Sequence, residues 1–190
     1  MVKINKFTNL QLASKKCFFD FRDYLIKNNE RIKIILSGGT SLKYFNKNFK
    51  KYNPKKKINL YLADERITDL SKYQNSNTLK KIKNKKFVFV NIFKNLSITK
   101  LEKISSYLPK SSYVSVLGIG EDGHIASIFD SGGRMEFDKN LILSKKKDEK
   151  YIRISLSFEY ISKSKKIFLI ISNKRKLQSI KNKDTTVYKL

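Results

Sequence analysis

The sequence predicts an α/β protein whose core is an open, mostly parallel sheet with helices on both faces. Two observations carry this expectation. Short β-rich runs alternate with helical stretches, at residues 32–36, 58–62, 87–90, 113–117, 151–156 and 166–171, which is the rhythm of βαβ units. Three of these runs pass straight into polar or glycine-bearing segments: SGGTS after Leu36, ADER after Leu62 and GIGEDGH after Leu117. Such segments stand at the carboxyl ends of strands, where open sheets of the Rossmann-like kind bind ligands, so three distant stretches are expected to meet at one pocket.

The elements follow in order. Leu10, Ala13, Cys17, Phe21 and Tyr24 recur at helical spacing, which predicts an amphipathic covering helix ending near Asn28. The six β-rich runs then supply the sheet, and the lysine-rich stretch at 139–150 is the candidate surface loop. No internal repeat or Pro/Ser-rich linker divides the 190 residues, so a single domain over 1–190 is expected. The 40% hydrophobic content, with 13 Phe and 10 Tyr, supplies a core. No apolar run approaches the roughly 20 residues of a membrane span. Lys, Asn and Gln interrupt the N-terminal apolar residues, leaving no signal-peptide core, and a cytoplasmic protein is expected. Cys17 has no second cysteine to pair with and falls on the apolar stripe, as a buried structural thiol would.

Forty-two Lys and Arg against 16 Asp and Glu give a net charge of +26. Charge of this size admits nucleic acid or an anionic membrane surface as a partner. The lysines are scattered through every segment, however, and do not alternate with aromatics as a single-strand-binding platform would. Abundant Lys, Asn and Ile with scarce Ala, Gly and Pro is also what A+T-rich codons produce in any protein. No specific nucleic-acid or membrane partner is therefore expected.

The residue types at the strand ends define the candidate chemistry. Ser37, Gly38, Gly39, Thr40 and Ser41 link a buried strand to a helix beginning near Leu42. Glycines there let a ligand approach the backbone, and amides and hydroxyls at a helix start suit an anion. An ordinary capped turn would look the same, and the GxxxxGK[ST] pattern is absent. Asp64, Glu65 and Arg66 place two acids beside a base at the sheet edge, with Ser76 and Asn77 as candidate caps of the next helix. Gly118, Gly120 and Gly123 form GxGxxG after a strand. A dinucleotide fingerprint would need an acidic residue ending the next strand, and Asp138 does not end a clear one in the sequence. His124, the only histidine, follows directly. One histidine and one cysteine cannot supply a zinc ligand set, and no GxSxG elbow is present.

Taken together, SGGTS at Ser37, DER at Asp64 with Ser76-Asn77, GIGEDGHIASIF at Gly118, RISL at Arg153 and a late lysine at Lys176 resemble, in order, the glucosamine-6-phosphate isomerase/6-phosphogluconolactonase family. The resemblance covers most of the chain. The glycine-histidine segment is its specific part, and Lys174 or Arg175 could stand in place of Lys176. Deaminases of the family continue from the histidine into AFNE, with a Glu five positions on; this chain has Ser127 in the AS pair and Phe129 at that distance, with Asp130 one beyond. Departures from the lactonase pattern are Leu42, Asp130 and Asn173, where two prolines and a glycine are usual. The end, TTVYKL, looks like the approach to the family's last strand.

The resemblance implies hydrolysis of 6-phospho-D-glucono-1,5-lactone to 6-phosphogluconate in the oxidative pentose phosphate pathway, with no cofactor or metal. It implies His124 as general base on water, Asp122 as its orienter, and Arg66 on the carbonyl oxygen or substrate hydroxyls. Residues 37–41 with Asp64, Glu65, Gly120, Arg153 and Lys176 would hold the sugar phosphate, in a monomer or homodimer. The alternatives are a glucosamine-6-phosphate deaminase-like isomerase and a sugar-phosphate-binding protein without catalysis.

Overall fold

A computed structural model of the chain describes all residues except 1, 2, 29–31, 83, 84, 95–97, 130–132, 147, 148, 182 and 184. Strands β1 (Lys33–Leu36), β2 (Ile58–Leu62), β4 (Phe87–Phe89), β5 (Tyr113–Gly118) and β9 (Lys166–Ile170) form a wholly parallel sheet in the spatial order β4-β2-β1-β5-β9. They are the five runs expected from sequence, within a residue at most ends. Ile34, Ile35, Leu36, Val114, Val116 and Leu117 are fully buried, as in parallel sheets covered on both faces.

The covering helices explain the Phe-rich composition. Helix α1 (Leu10–Asn28) buries Phe18, Phe21 and Leu25, and α2 (Lys43–Lys51) buries Phe45 and Phe49. Phe21 stands edge-on to Phe45, Phe49 and Phe168 of β9, and Phe49 lies 4.4 Å from Phe87 of β4. One aromatic layer thus spans the sheet from edge to edge. Helix α3 (Ser76–Lys80) lies between β2 and β4 in the chain, and α4 (Ile98–Tyr107) joins β4 to β5. The chain reverses direction across the sheet between β4 and β5, which for right-handed crossovers puts α4 on the face opposite α2. Cys17 lies in the α1 layer, where burial, with Asp20 nearby, pushes its thiol up to about 12.

A second sheet was not anticipated. Strands β3 (Asp64–Ile67), β6 (Gly133–Asp138), β7 (Leu141–Lys145) and β8 (Ile152–Leu156) pair antiparallel in the order β3-β8-β7-β6. One run expected in the parallel sheet, β8, therefore belongs to this one. The candidate surface loop at 139–150 contains β7, an inner strand with Leu141, Ile142 and Ser144 buried; the lysines around it hid the short LILS run. Asp138 does end a strand, β6, but its carboxylate accepts from the amides of Asn140 and Leu141 at 2.7 and 2.8 Å and so shapes the β6-β7 turn. Ala63 ties the two sheets together: its amide donates to Leu36 of β1, and its carbonyl accepts from Leu156 of β8. Among the described residues no helix is long and apolar enough to cross a membrane.

Candidate active site

Neighbouring β1 and β5 send their chains to opposite sides of the parallel sheet, β1 toward β2 and β5 toward β9. The crevice between their carboxyl ends is a topological switch point. The SGGTS loop leaves β1 there. Ser37 donates its amide to Val116 at 3.1 Å, while its buried hydroxyl has no hydrogen-bond partner among the described residues. Gly39 has φ 87°, a conformation that favours glycine, and the space where a Cβ would stand is open. Residues Thr40–Leu42 form a 3-10 turn into α2, with Leu42 buried. Ser41 packs so closely on Gly118 that a Cβ there would lie 2.8 Å from the serine Cβ.

The helix Lys174–Ser179 brings the late lysine to this loop. Asn173 caps the helix by accepting from the Lys176 amide at 2.9 Å, and the Lys176 ammonium donates to Ser41 Oγ at 3.2 Å. Lys174 and Arg175 are exposed, so of the three late basic residues it is Lys176 that turns toward SGGTS. An orphan hydroxyl, an open glycine and an ammonium together form a cradle suited to an anion.

The histidine loop leaves β5 beside it. Bridges from Ile119 to Ile125 and from Ile125 to Ile128 pinch the loop. The Gly120 amide donates to the His124 carbonyl at 2.8 Å, which closes the turn through Gly123, where φ is 87°. The imidazole packs against Gly120, where any Cβ would overlap its Cε1 and Nδ1, so Gly120 serves the histidine. Asp122 Oδ1 is hydrogen-bonded to His124 Nδ1. An ionised carboxylate only accepts, so Nδ1 carries the hydrogen, and in the neutral imidazole Nε2 keeps its lone pair. The imidazole packs against Phe129 with ring centroids 4.6 Å apart. Residues 185–189 form a turn covering this loop, with Val187 donating to the Gly123 carbonyl and Thr186 to that of Ile128. TTVYKL thus packs on the histidine turn.

The hydrogen bond from His124 holds the Asp122 carboxyl well down, at about 2, against the opposing effect of burial and with help from Lys146 at 4.0 Å. Because the folded value lies below the ordinary 3.8, this contact stabilises the fold above about pH 4 and is lost as pH falls toward 2. In Asp122→Asn that acid-dependent part should vanish. Thermal midpoints measured against pH are expected to separate from wild type above pH 4 and to converge near pH 2.

The DER segment forms β3, the edge strand of the second sheet, and its two acids are internal. Asp64 Oδ2 accepts from Ser127 Oγ at 2.6 Å and Asn75 Nδ2 at 3.0 Å, and lies 3.8 Å from Arg153 Nη1. Glu65 accepts from the amides of Arg66, Asn75 and Ser76 at 2.8, 2.6 and 2.8 Å, so it anchors the start of α3. The side chains of Ser76 and Asn77 do not cap that helix; Asn77 instead donates to the Ser71 carbonyl. Arg66 donates from Nη1 to the Tyr73 carbonyl at 2.9 Å and to Asn75 Oδ1 at 3.0 Å. Asn75 also fills the space over Gly38, leaving no room there for a Cβ, so it joins the SGGTS loop to Asp64 and Arg66.

Arg153 on β8 is buried. Its Nε donates to Glu149 Oε2 at 2.8 Å, and Nη2 contacts both oxygens of Glu149; Nη1 reaches Ser127 Oγ at 3.4 Å, and the guanidinium lies 5.5 Å from the Phe129 ring centre. Burial alone would raise the Glu149 carboxyl. The hydrogen bonds and charge of Arg153, with Arg66 and Lys146, outweigh that effect and hold it low.

These contacts link the segments named from sequence. Ser41 joins SGGTS to the histidine loop and Lys176, Asn75 joins it to DER, and Phe129 stands between His124 and Arg153. Four participants were missed. Ser127 lies inside the quoted ASIF and gave a signal; Asn75 directly precedes the quoted Ser-Asn pair; Lys146 and Glu149 sit in the lysine-rich stretch, where nothing distinguishes them. A separate cleft of about 490 Å³ behind β3, lined by Glu65, Arg66, Gln74, Lys80, Asn91 and Phe93 among others, is not lined by His124 or residues 37–41. The site combines an anion cradle with an oriented imidazole that is 18% exposed, the parts needed to hold a phosphorylated molecule and move a proton on it.

Comparison with known proteins agrees with that class. The family described as glucosamine-6-phosphate isomerases/6-phosphogluconolactonase matches residues 10–185. A protein of Helicobacter pylori named 6-phosphogluconolactonase is 31% identical over 188 residues, 90% of this chain and 82% of that protein. One of the same name from Thermotoga maritima is 27% identical, covering 82% of this chain and 76% of its own. The crystal structure of a 6-phosphogluconolactonase from Shewanella baltica superposes with a TM-score of 0.78 at 18% identity, over 92% of this chain and 83% of that one. The chain belongs to the glucosamine-6-phosphate isomerase/6-phosphogluconolactonase family.

Proposed function

We propose that the chain is a 6-phosphogluconolactonase, hydrolysing 6-phospho-D-glucono-1,5-lactone with His124 as general base in the cytoplasmic oxidative pentose phosphate pathway. The observation that carries this reading over the deaminase is the neighbour of the histidine. Five positions on, Phe129 packs its ring 4.6 Å from the imidazole, where the deaminases have a glutamate. An apolar ring there serves a base that activates water but offers no carboxylate for ring opening of an amino sugar. Asp130 lies outside the described residues.

In this mechanism the phosphate is gripped by residues 37–41 with Arg153 and Lys176, and the lactone carbonyl faces His124. Water attacks C1 as Nε2 takes its proton; Asp122, held ionised, steadies the imidazolium that forms. The tetrahedral intermediate carries its charge near Arg66. Collapse breaks the bond from C1 to the ring oxygen, which takes the proton from Nε2, giving the open acid. No cofactor enters. Asp64 and Glu65 hold the frame through Ser127, Asn75 and the start of α3, and Gly120 gives the imidazole its place.

The lysine has a separable role. Lys176→Ala is expected to raise KM about 10- to 100-fold, the loss of one charge-assisted bond of ~1.5–3 kcal/mol, with kcat little changed; a fall in kcat at constant KM would place Lys176 at the reacting centre instead. To test the class, the purified protein is incubated with glucosamine 6-phosphate. No release of ammonia is expected, and ammonia release would favour the deaminase.

A further inference from the structure

Resting on the reading that Arg153 helps hold the substrate phosphate, we propose that Glu149 is a specificity-determining residue. It occupies the anion position on Arg153 in the empty protein and yields it to a dianionic phosphoryl group but not to a monoanion.

The guanidinium of Arg153 is committed on every side. Its Nη1 faces inward to Ser127 and Asp64, its face lies against Phe129, and its remaining edge, Nε with Nη2, is the fork that takes two oxygens of a phosphate or a carboxylate. That edge is filled by the Glu149 carboxylate. The two residues differ in how firmly they are held. The Arg153 side chain is 8% exposed, whereas that of Glu149 is 29% exposed and its carboxylate has no other hydrogen-bond donor among the described residues.

The charges of Arg66 and Lys146 add to that of Arg153 in favouring an anion at the Glu149 carboxylate. Lys146 also lies 4.0 Å from Asp122, the partner of the histidine. A chain of net charge +26 attracts every small anion, and an unoccupied Arg153 fork would fill with whichever is abundant. An internal carboxylate at high effective concentration excludes singly charged competitors of its own kind. A phosphoryl group, with about two charges and three acceptor oxygens, gains more from the same three cations.

Internal competition lowers apparent affinity by the fraction of molecules in which the fork is free. Glu149→Gln keeps the size of the side chain and removes its charge. With 6-phosphogluconate and acetate as probes, thermal stabilisation and isothermal titration are expected to show wild type binding the first and ignoring the second. The variant should bind 6-phosphogluconate about tenfold more tightly and should now respond to acetate. Equal or weaker 6-phosphogluconate binding by a folded Glu149→Gln, with acetate still ignored, would overturn the proposal while leaving the phosphate site standing. If neither protein responds to 6-phosphogluconate, the reading of the site falls and the proposal with it.

Discussion

Replacing His124 with Asn is expected to lower kcat for the lactone by roughly 10²–10⁴, the usual contribution of a positioned base, with 6-phosphogluconate binding little changed. The separation follows from the geometry. The anion cradle is built on Ser37, Gly39, Ser41 and Lys176, whereas His124 is held by Asp122, Gly120 and Phe129. The two share a border at Ser41 and Gly118 but no side chain. Asn fits the small space over Gly120 and lacks a group that accepts a proton from water. Single-turnover rates, corrected for spontaneous hydrolysis, check the first half, and product titration checks the second. Loss of product binding along with turnover would mean that the imidazole also holds substrate.

The largest structural effect is expected at Asp64, which reacts with nothing. Its carboxylate is 4% exposed and receives Ser127 and Asn75 while facing Arg153. Removing one partner of a buried charged network leaves the others unsatisfied, at a cost of about 3–5 kcal/mol. Asp64→Ala should lower the urea midpoint accordingly. It should also weaken substrate binding, because Asn75 positions both Gly38 and Arg66, and Ser127 holds the loop after His124. An unfolding free energy within about 1 kcal/mol of wild type would show that Arg153 and Glu149 suffice to keep the region in place.

The sequence made some of this legible and hid the rest for physical reasons. The parallel strands could be read because burial on both faces leaves continuous apolar runs such as Ile34 to Leu36. The antiparallel sheet could not, because β3 is the polar triplet Asp-Glu-Arg and then Ile, and β7 is set among lysines. Each reads as surface until the partner strand is known. In the site, glycines and the single histidine stood out because few residue types can occupy those positions. The role of DER was less visible. A sequence shows two acids and a base, but only the fold shows that both acids face inward, to Arg153, Asn75 and the start of α3. Ser127 was quoted as part of a motif, and its role as the link from the histidine loop to Asp64, Ser144 and Ser155 appears only when the second sheet is in place. Glu149 has no local signature at all, since its meaning comes from a guanidinium on the following strand.

Lactone hydrolysis by this chain is tested most directly by a coupled assay. 6-Phosphogluconolactone is generated in place by enzymatic oxidation of glucose 6-phosphate, and its disappearance is followed with and without the protein. The expected rate exceeds the spontaneous one, rises in proportion to wild-type concentration and falls nearly to background with His124→Asn. Decay at the spontaneous rate with folded wild-type protein, or equal acceleration by the His124→Asn variant, would contradict it.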